Sequence, residues 1–128
     1  MKSHYQHFLE EGNQYLKTAQ GGMKREAIFT PAILYNLLSL SIEKYFMALS
    51  LFHGQMPIGH TFSGLLDSIS PHLDLPEDWV RELKYFESLQ EICDLDLYIR
   101  KGPSREDIAK MLELSGKLQL LTQSLCQN

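Results

Sequence analysis

A chain of 128 residues has room for one domain and not for two independent cores. Its hydrophobic share of 44% and charged share of 22% supply enough apolar surface to offset ordering entropy, which argues against intrinsic disorder. A net charge of −4 argues against a general nucleic-acid binder, which normally carries a basic excess that displaces counterions from phosphates.

The first segment, MKSHYQHFLEEGNQ, lacks the apolar core of a signal peptide. The richest apolar stretch, Ile28 to Phe52, is broken by Asn36, Ser39, Ser41, Glu43 and Lys44, so it reads as a buried helix and not a membrane span. Cys93 and Cys126 form no CxxC or Cys/His cluster and read as reduced, packed thiols. The expectation is a cytoplasmic protein.

Five helices are predicted. The first spans Ser3 to Gln20, with Tyr5, Phe8, Leu9, Tyr15, Leu16 and Ala19 on one face. Gly21-Gly22 is expected to end it in a left-handed turn, and Gly12, on the apolar face, to permit a close helix contact. The second opens with Thr30 as cap and Pro31 at the first helical position, and runs to about His53, where Gly54 stops it. It is apolar around most of its circumference except for a stripe of Asn36, Ser39, Glu43 and Ser50, which places it at the centre of a bundle. Lys44 lies off that stripe and must snorkel or find a carboxylate.

A short third helix runs from His60 or Thr61 to Ser70, before Pro71. The fourth opens after Pro76 with Glu77 and Asp78 in its first turn and fades near Tyr98 to Lys101. Its core face carries Trp79, Leu83, Phe86 and Cys93, widened by Val80, Leu89 and Ile92. The fifth starts at Ser104, whose capping-box partner is Asp107, with Met111, Leu114, Leu118, Leu121 and Leu125 on one face and Leu120 off it. With no sustained strand alternation and short connections, the chain reads as all-α.

No catalytic constellation emerges. His4 and His7 share a helix face, yet two ligands near a helix end make a poor metal site, and neither HExxH nor a Glu-x-x-His pair occurs. Nucleophile elbows, P-loops and dinucleotide fingerprints are absent from the sequence. No metal or cofactor is expected. In HGQMPIGH, His53 to His60, the first histidine is placed to charge at a helix C-terminus and the second to bond free amides at a helix start; a part in binding or proton transfer is the alternative. Arg100 and Lys101 precede a helix N-terminus, where two cations either hold a phosphate or carboxylate or simply complement the preceding helix dipole.

IEKYFMAL (Ile42 to Leu49) followed by HGQMPIGHTFSGLL (His53 to Leu66) resembles the HEPN domain, the higher eukaryotes and prokaryotes nucleotide-binding family. In that family a Glu-Lys pair on the second helix precedes a glycine-proline turn and a histidine that opens the next helix. The resemblance spans about Tyr5 to Leu125 and implies an up-and-down four-helix bundle with an extra short helix, commonly a homodimer. It also implies nucleotide binding, partnership with a small nucleotidyltransferase, or RNA cleavage. Nuclease members carry Arg, four to six residues, then His. No arginine here meets that spacing, and no histidine follows His72. The Arg-Tyr-Pro that ends the fourth helix of many non-nuclease members appears only as Arg100-Lys101-Gly102-Pro103.

The expectation is therefore a non-catalytic module with Lys44, His60, Arg100 and Lys101 as contacts for a nucleotide or other phosphate compound. The alternative is a homodimeric interaction protein that partners a nucleotidyltransferase.

Overall fold

A computed structural model describes residues 4–57, 59–89 and 103–126. Among these residues the chain is all-α, with α1 (His4–Gly22), α2 (Pro31–Phe52), α3 (Phe62–Ile69), α4 (Glu77–Ser88) and α5 (Arg105–Cys126). Gly12 lies against Tyr45 and Gly22 against Phe29, just ahead of α2, so α1 and α2 are antiparallel. Gln119 of α5 reaches Asn13, and Arg105 reaches Glu26 in the α1–α2 connection, which sets α5 antiparallel to α1. The end of α4 meets the starts of α2 and α5, through Tyr35 to the Phe86 carbonyl and Tyr85 to Asp107. Helices α1, α2, α4 and α5 thus form an up-and-down bundle, and α3 is the additional short helix.

Local chemistry accounts for the helix starts. Thr30 accepts from the Ile33 amide at 3.3 Å with Pro31 behind it, and Thr61 accepts from Gly64 at 3.1 Å. Ser104 and Asp107 exchange reciprocal bonds, each 3.1 Å, in a capping box at the head of α5. At the end of α2, Gly54 takes a φ of 74°, the only positive φ among the described residues.

Two helix ends depart from expectation. Gly21 and Gly22 stay within α1 and adopt no left-handed turn. Glycine is needed at 22 for space, because a Cβ there would stand 2.4 Å from the Phe29 ring. Helix α4 stops at Ser88, ahead of the expected Tyr98 to Lys101. The Phe86 carbonyl accepts from the Tyr35 hydroxyl and the Leu89 amide, while the Ser88 hydroxyl bonds back to the Tyr85 carbonyl. The rest of the expected fourth helix, residues 90–102 with Ile92 and Cys93, lies outside the described residues.

One core gathers around α2, whose Leu34, Leu38, Ile42, Tyr45, Phe46 and Leu49 are fully buried. A helix buried on so many sides needs covering neighbours, and α1, α3 and α5 supply them. Small polar residues join the core where the sequence pattern implied water. Ser39 and Ser50 of the expected wet stripe are buried, while Asn36 stays exposed and Glu43 half-buried. On α5, Ser115, Thr122 and Cys126 turn inward, and Leu121 and Leu125 flank the core instead of filling it. Leu120 is 67% exposed, as its position off the core face implies. No described helix is long and apolar enough to cross a membrane.

The α1–α2 contact is the tightest in the bundle. A Cβ at Gly12 would fall 2.7 Å from a Tyr45 ring carbon, whereas one at Gly116 of α5 meets nothing within 4 Å. Overpacking costs about 1–3 kcal/mol, of which helix propensity returns at most about 1 kcal/mol. Gly12→Ala therefore lowers the stability measured by urea unfolding, and Gly116→Ala raises it by roughly 0.5–1 kcal/mol.

Candidate functional site

Two of the residues expected to meet a phosphate are described: Lys44 on α2 and His60 in the connection between α2 and α3. Lys44 has partners: its ammonium lies 3.8 Å from a Glu11 carboxylate oxygen of α1 and 5.2 Å from the centre of the Phe8 ring. Its stem lies along the bundle, leaving the side chain 20% exposed. Snorkelling and a carboxylate partner both occur.

His60 does not cap α3. Thr61 does that, and the His60 Nδ1–H instead donates to Glu43 Oε1 at 2.9 Å, because a carboxylate can only accept. Lys44 and His60 are thus each engaged by a separate carboxylate, and no bond joins them. Arg100 and Lys101 lie outside the described residues. The helix they precede opens with Glu106 and Asp107, and the Ser104 hydroxyl already fills the Asp107 amide. The head of α5 thereby carries its own negative charge against the dipole.

His4 and His7 are exposed at the start of α1, and no group of three metal-ligating side chains occurs among the described residues. Cys126 is buried as a free thiol, and burial pushes its pKa up to about 11. Cys93 lies outside the described residues.

Two features were hidden from sequence reasoning. Asn13 Oδ1 accepts from Tyr45 Oη at 2.8 Å and from Gln119 Nε2 at 2.9 Å, tying α1, α2 and α5 together. Burial raises the Tyr45 phenol to about 12, so it remains a donor throughout the neutral range. The second feature is a stacked histidine pair. His53, cap of α2, lies ring to ring with His72 of the turn after α3, with centroids 5.0 Å apart and planes 5° from parallel.

Burial, then the neighbouring His72, push the His53 pKa below its ordinary 6.5. The helix C-terminus was expected to favour its charged form; desolvation wins instead. That turn also walls a cavity of about 360 Å³ between α3 and α4, lined by apolar Leu66, Ile69 and Leu73 with charged Asp67, Asp74 and Lys84. A motif scan had no means of finding either feature, since the partners are 19 or more residues apart.

Comparison with protein-family models, curated proteins and solved structures finds no match.

A thiol at about 11 is ionised in roughly one molecule per thousand near pH 8. In a Cys93→Ala chain, Cys126 should therefore resist a thiol-disulfide reagent while folded and react fully in concentrated guanidinium. Rapid labelling of the folded chain would contradict its burial.

Proposed function

We propose that this chain is a non-catalytic, HEPN-like interaction module of the cytoplasm that acts as a homodimer. The observation that carries the reading is a ridge along α2. Ile33, Leu37, Leu40, Met47 and Leu51 follow one another at helical spacing, and each keeps part of its surface in solvent, Ile33 as much as 43%. Only Lys44 breaks this row, and it is already neutralised by Glu11.

An apolar ridge on the most apolar helix of a bundle is suited to a facing helix. A second copy is the simplest source of one, because a two-fold axis presents the same ridge to itself. Glu43 and Lys44 sit midway between Leu40 and Met47, so antiparallel copies of α2 would set opposite charges against one another. Exposed Leu120 on α5 offers a second apolar contact for a partner such as a small nucleotidyltransferase.

The nucleotide reading draws less support. Lys44 and His60 are each matched by a carboxylate, which leaves Arg100 and Lys101 to hold a phosphate beside an acidic helix start. Catalysis has no support in the sequence either, since the nuclease spacing of arginine and histidine is missing.

Light scattering at micromolar concentration should report about twice the 14.8 kDa chain mass. Leu40→Glu and Ile33→Glu should return the single-chain mass while keeping the helical circular dichroism. A wild-type monomer across the accessible range would defeat the reading. A nucleotide that raises the melting temperature at millimolar concentration, with the rise lost in Arg100→Ala, would replace it with the phosphate-binding one.

A further inference from the structure

The stacked histidines occupy a strategic join. His53 closes α2, and His72 belongs to the turn between α3 and α4. The turn is otherwise tied back chiefly to its own helix, through the His72 and Leu73 amides, both bonded to the Ile69 carbonyl. Among the described residues its polar link to the loop just beyond α2 is one bond, from His72 Nε2 to Gln55 Oε1 at 3.3 Å.

Around the pair the surroundings are aromatic and uncharged. The Phe52 ring meets His53 edge-on at 5.3 Å, and Tyr5 of α1 meets Phe52 edge-on at 5.4 Å. His53 Nε2 is buried with no hydrogen-bond partner. Among the described residues no carboxylate lies within ion-pair distance of either ring, although Asp74 is on the same turn. The described residues therefore offer neither a counter-ion nor an acceptor for a proton added at His53 Nε2.

We propose that the His53–His72 stack is a pH-sensitive latch: proton uptake parts the rings and releases the turn of residues 70–76 from the end of α2. A proton added at His53 sets charge against the stacked His72 ring 5.0 Å away and on an Nε2 that is buried without a partner, so the half-buried His53 ring must turn toward water. Ser70, Leu73, Asp74 and Leu75 of that turn wall the α3–α4 cavity, so release of the latch widens its mouth. The cavity is then a different shape in neutral and mildly acidic solution. This inference is independent of the dimer, which uses the opposite, outward ridge of α2.

The sign follows from proton linkage. The folded chain holds His53 below its ordinary 6.5, so the unfolded chain binds more protons as pH falls from 6.5. The stabilisation is complete above 6.5 and is lost on acidification through the lower, folded-state value.

The test uses the full chain. A nuclear magnetic resonance titration of the His53 ring should show its midpoint below 6.5. Amide protection factors of His72 and Leu73, corrected for intrinsic exchange, should drop several-fold between about pH 7.5 and about pH 5.5. His53→Phe keeps a ring for stacking but cannot charge, so the drop should vanish. His53→Gln, which also cannot charge, serves the same purpose should the first variant fail to fold. A His53 midpoint at or above 6.5, or a drop that persists unchanged in the folded variants, would overturn the latch.

Discussion

The close approach of α1 to α2 at Gly12 is the constraint on which the rest of the bundle depends. With no side chain there, the Tyr45 ring lies flat against the backbone of α1, and Ser41 Oγ donates to the Gly12 carbonyl at 2.9 Å. That bond gives a fully buried hydroxyl its partner and leaves the helix carbonyl with a second acceptor role. The same approach delivers the Tyr45 hydroxyl to Asn13, where Gln119 donates to the same oxygen and brings α5 into register. A side chain at position 12 would separate the helices and detach each of these links in turn. Three helices are thus located by one missing methyl group.

Features that depend on a few neighbouring residues were legible in the sequence. Thr30-Pro31, Thr61 and the Ser104–Asp107 pair carry their own capping chemistry, and the structure places helix starts at each. Gly54 likewise marks a real left-handed stop. Features that depend on distant partners were not legible. The Phe86 carbonyl near the end of α4 accepts from a tyrosine hydroxyl 51 residues earlier in the chain, and no local pattern announces that. His60 was read as a cap because of its position, but its partner is Glu43, 17 residues earlier in the chain. Gly22 shows a subtler limit: glycine was correctly singled out, but for conformational freedom when the real demand was room for Phe29.

Polar residues in the core are the other blind spot. Ser39 and Ser50 sit on the stripe that the helical wheel assigned to water, yet both are buried, as are Ser115 and Thr122 of α5. Thr122 bonds the Leu118 carbonyl of its own helix at 2.7 Å. Ser39, Ser50 and Ser115 find no partner for their hydroxyls among the described atoms. Each such group costs about 1–3 kcal/mol of desolvation relative to a satisfied one. The candidate site was misread for a related reason. Lys44 and His60 were expected to offer polar contacts to a phosphate, but each already has a carboxylate partner, from α1 and α2 respectively.

The two ends of the bundle are held by different chemistry, and that difference explains where responsiveness resides. At the end formed by the starts of α2 and α5, the ties are hydrogen bonds to carbonyls and carboxylates: Tyr35 to Phe86, Tyr85 to Asp107, and the reciprocal Ser104–Asp107 pair. Phenols and hydroxyls donate across the whole physiological range, so this end is indifferent to modest acidification. At the other end Tyr5, Phe52, His53 and His72 form a chain of ring contacts between α1, α2 and the turn beyond α3. Two of those four rings are imidazoles, the side chains whose ordinary charge change falls nearest neutrality. A perturbation of charge there reaches the turn and the α3–α4 cavity before it reaches the Gly12 contact, because the last two turns of α2, residues 46–52, lie between His53 and Tyr45.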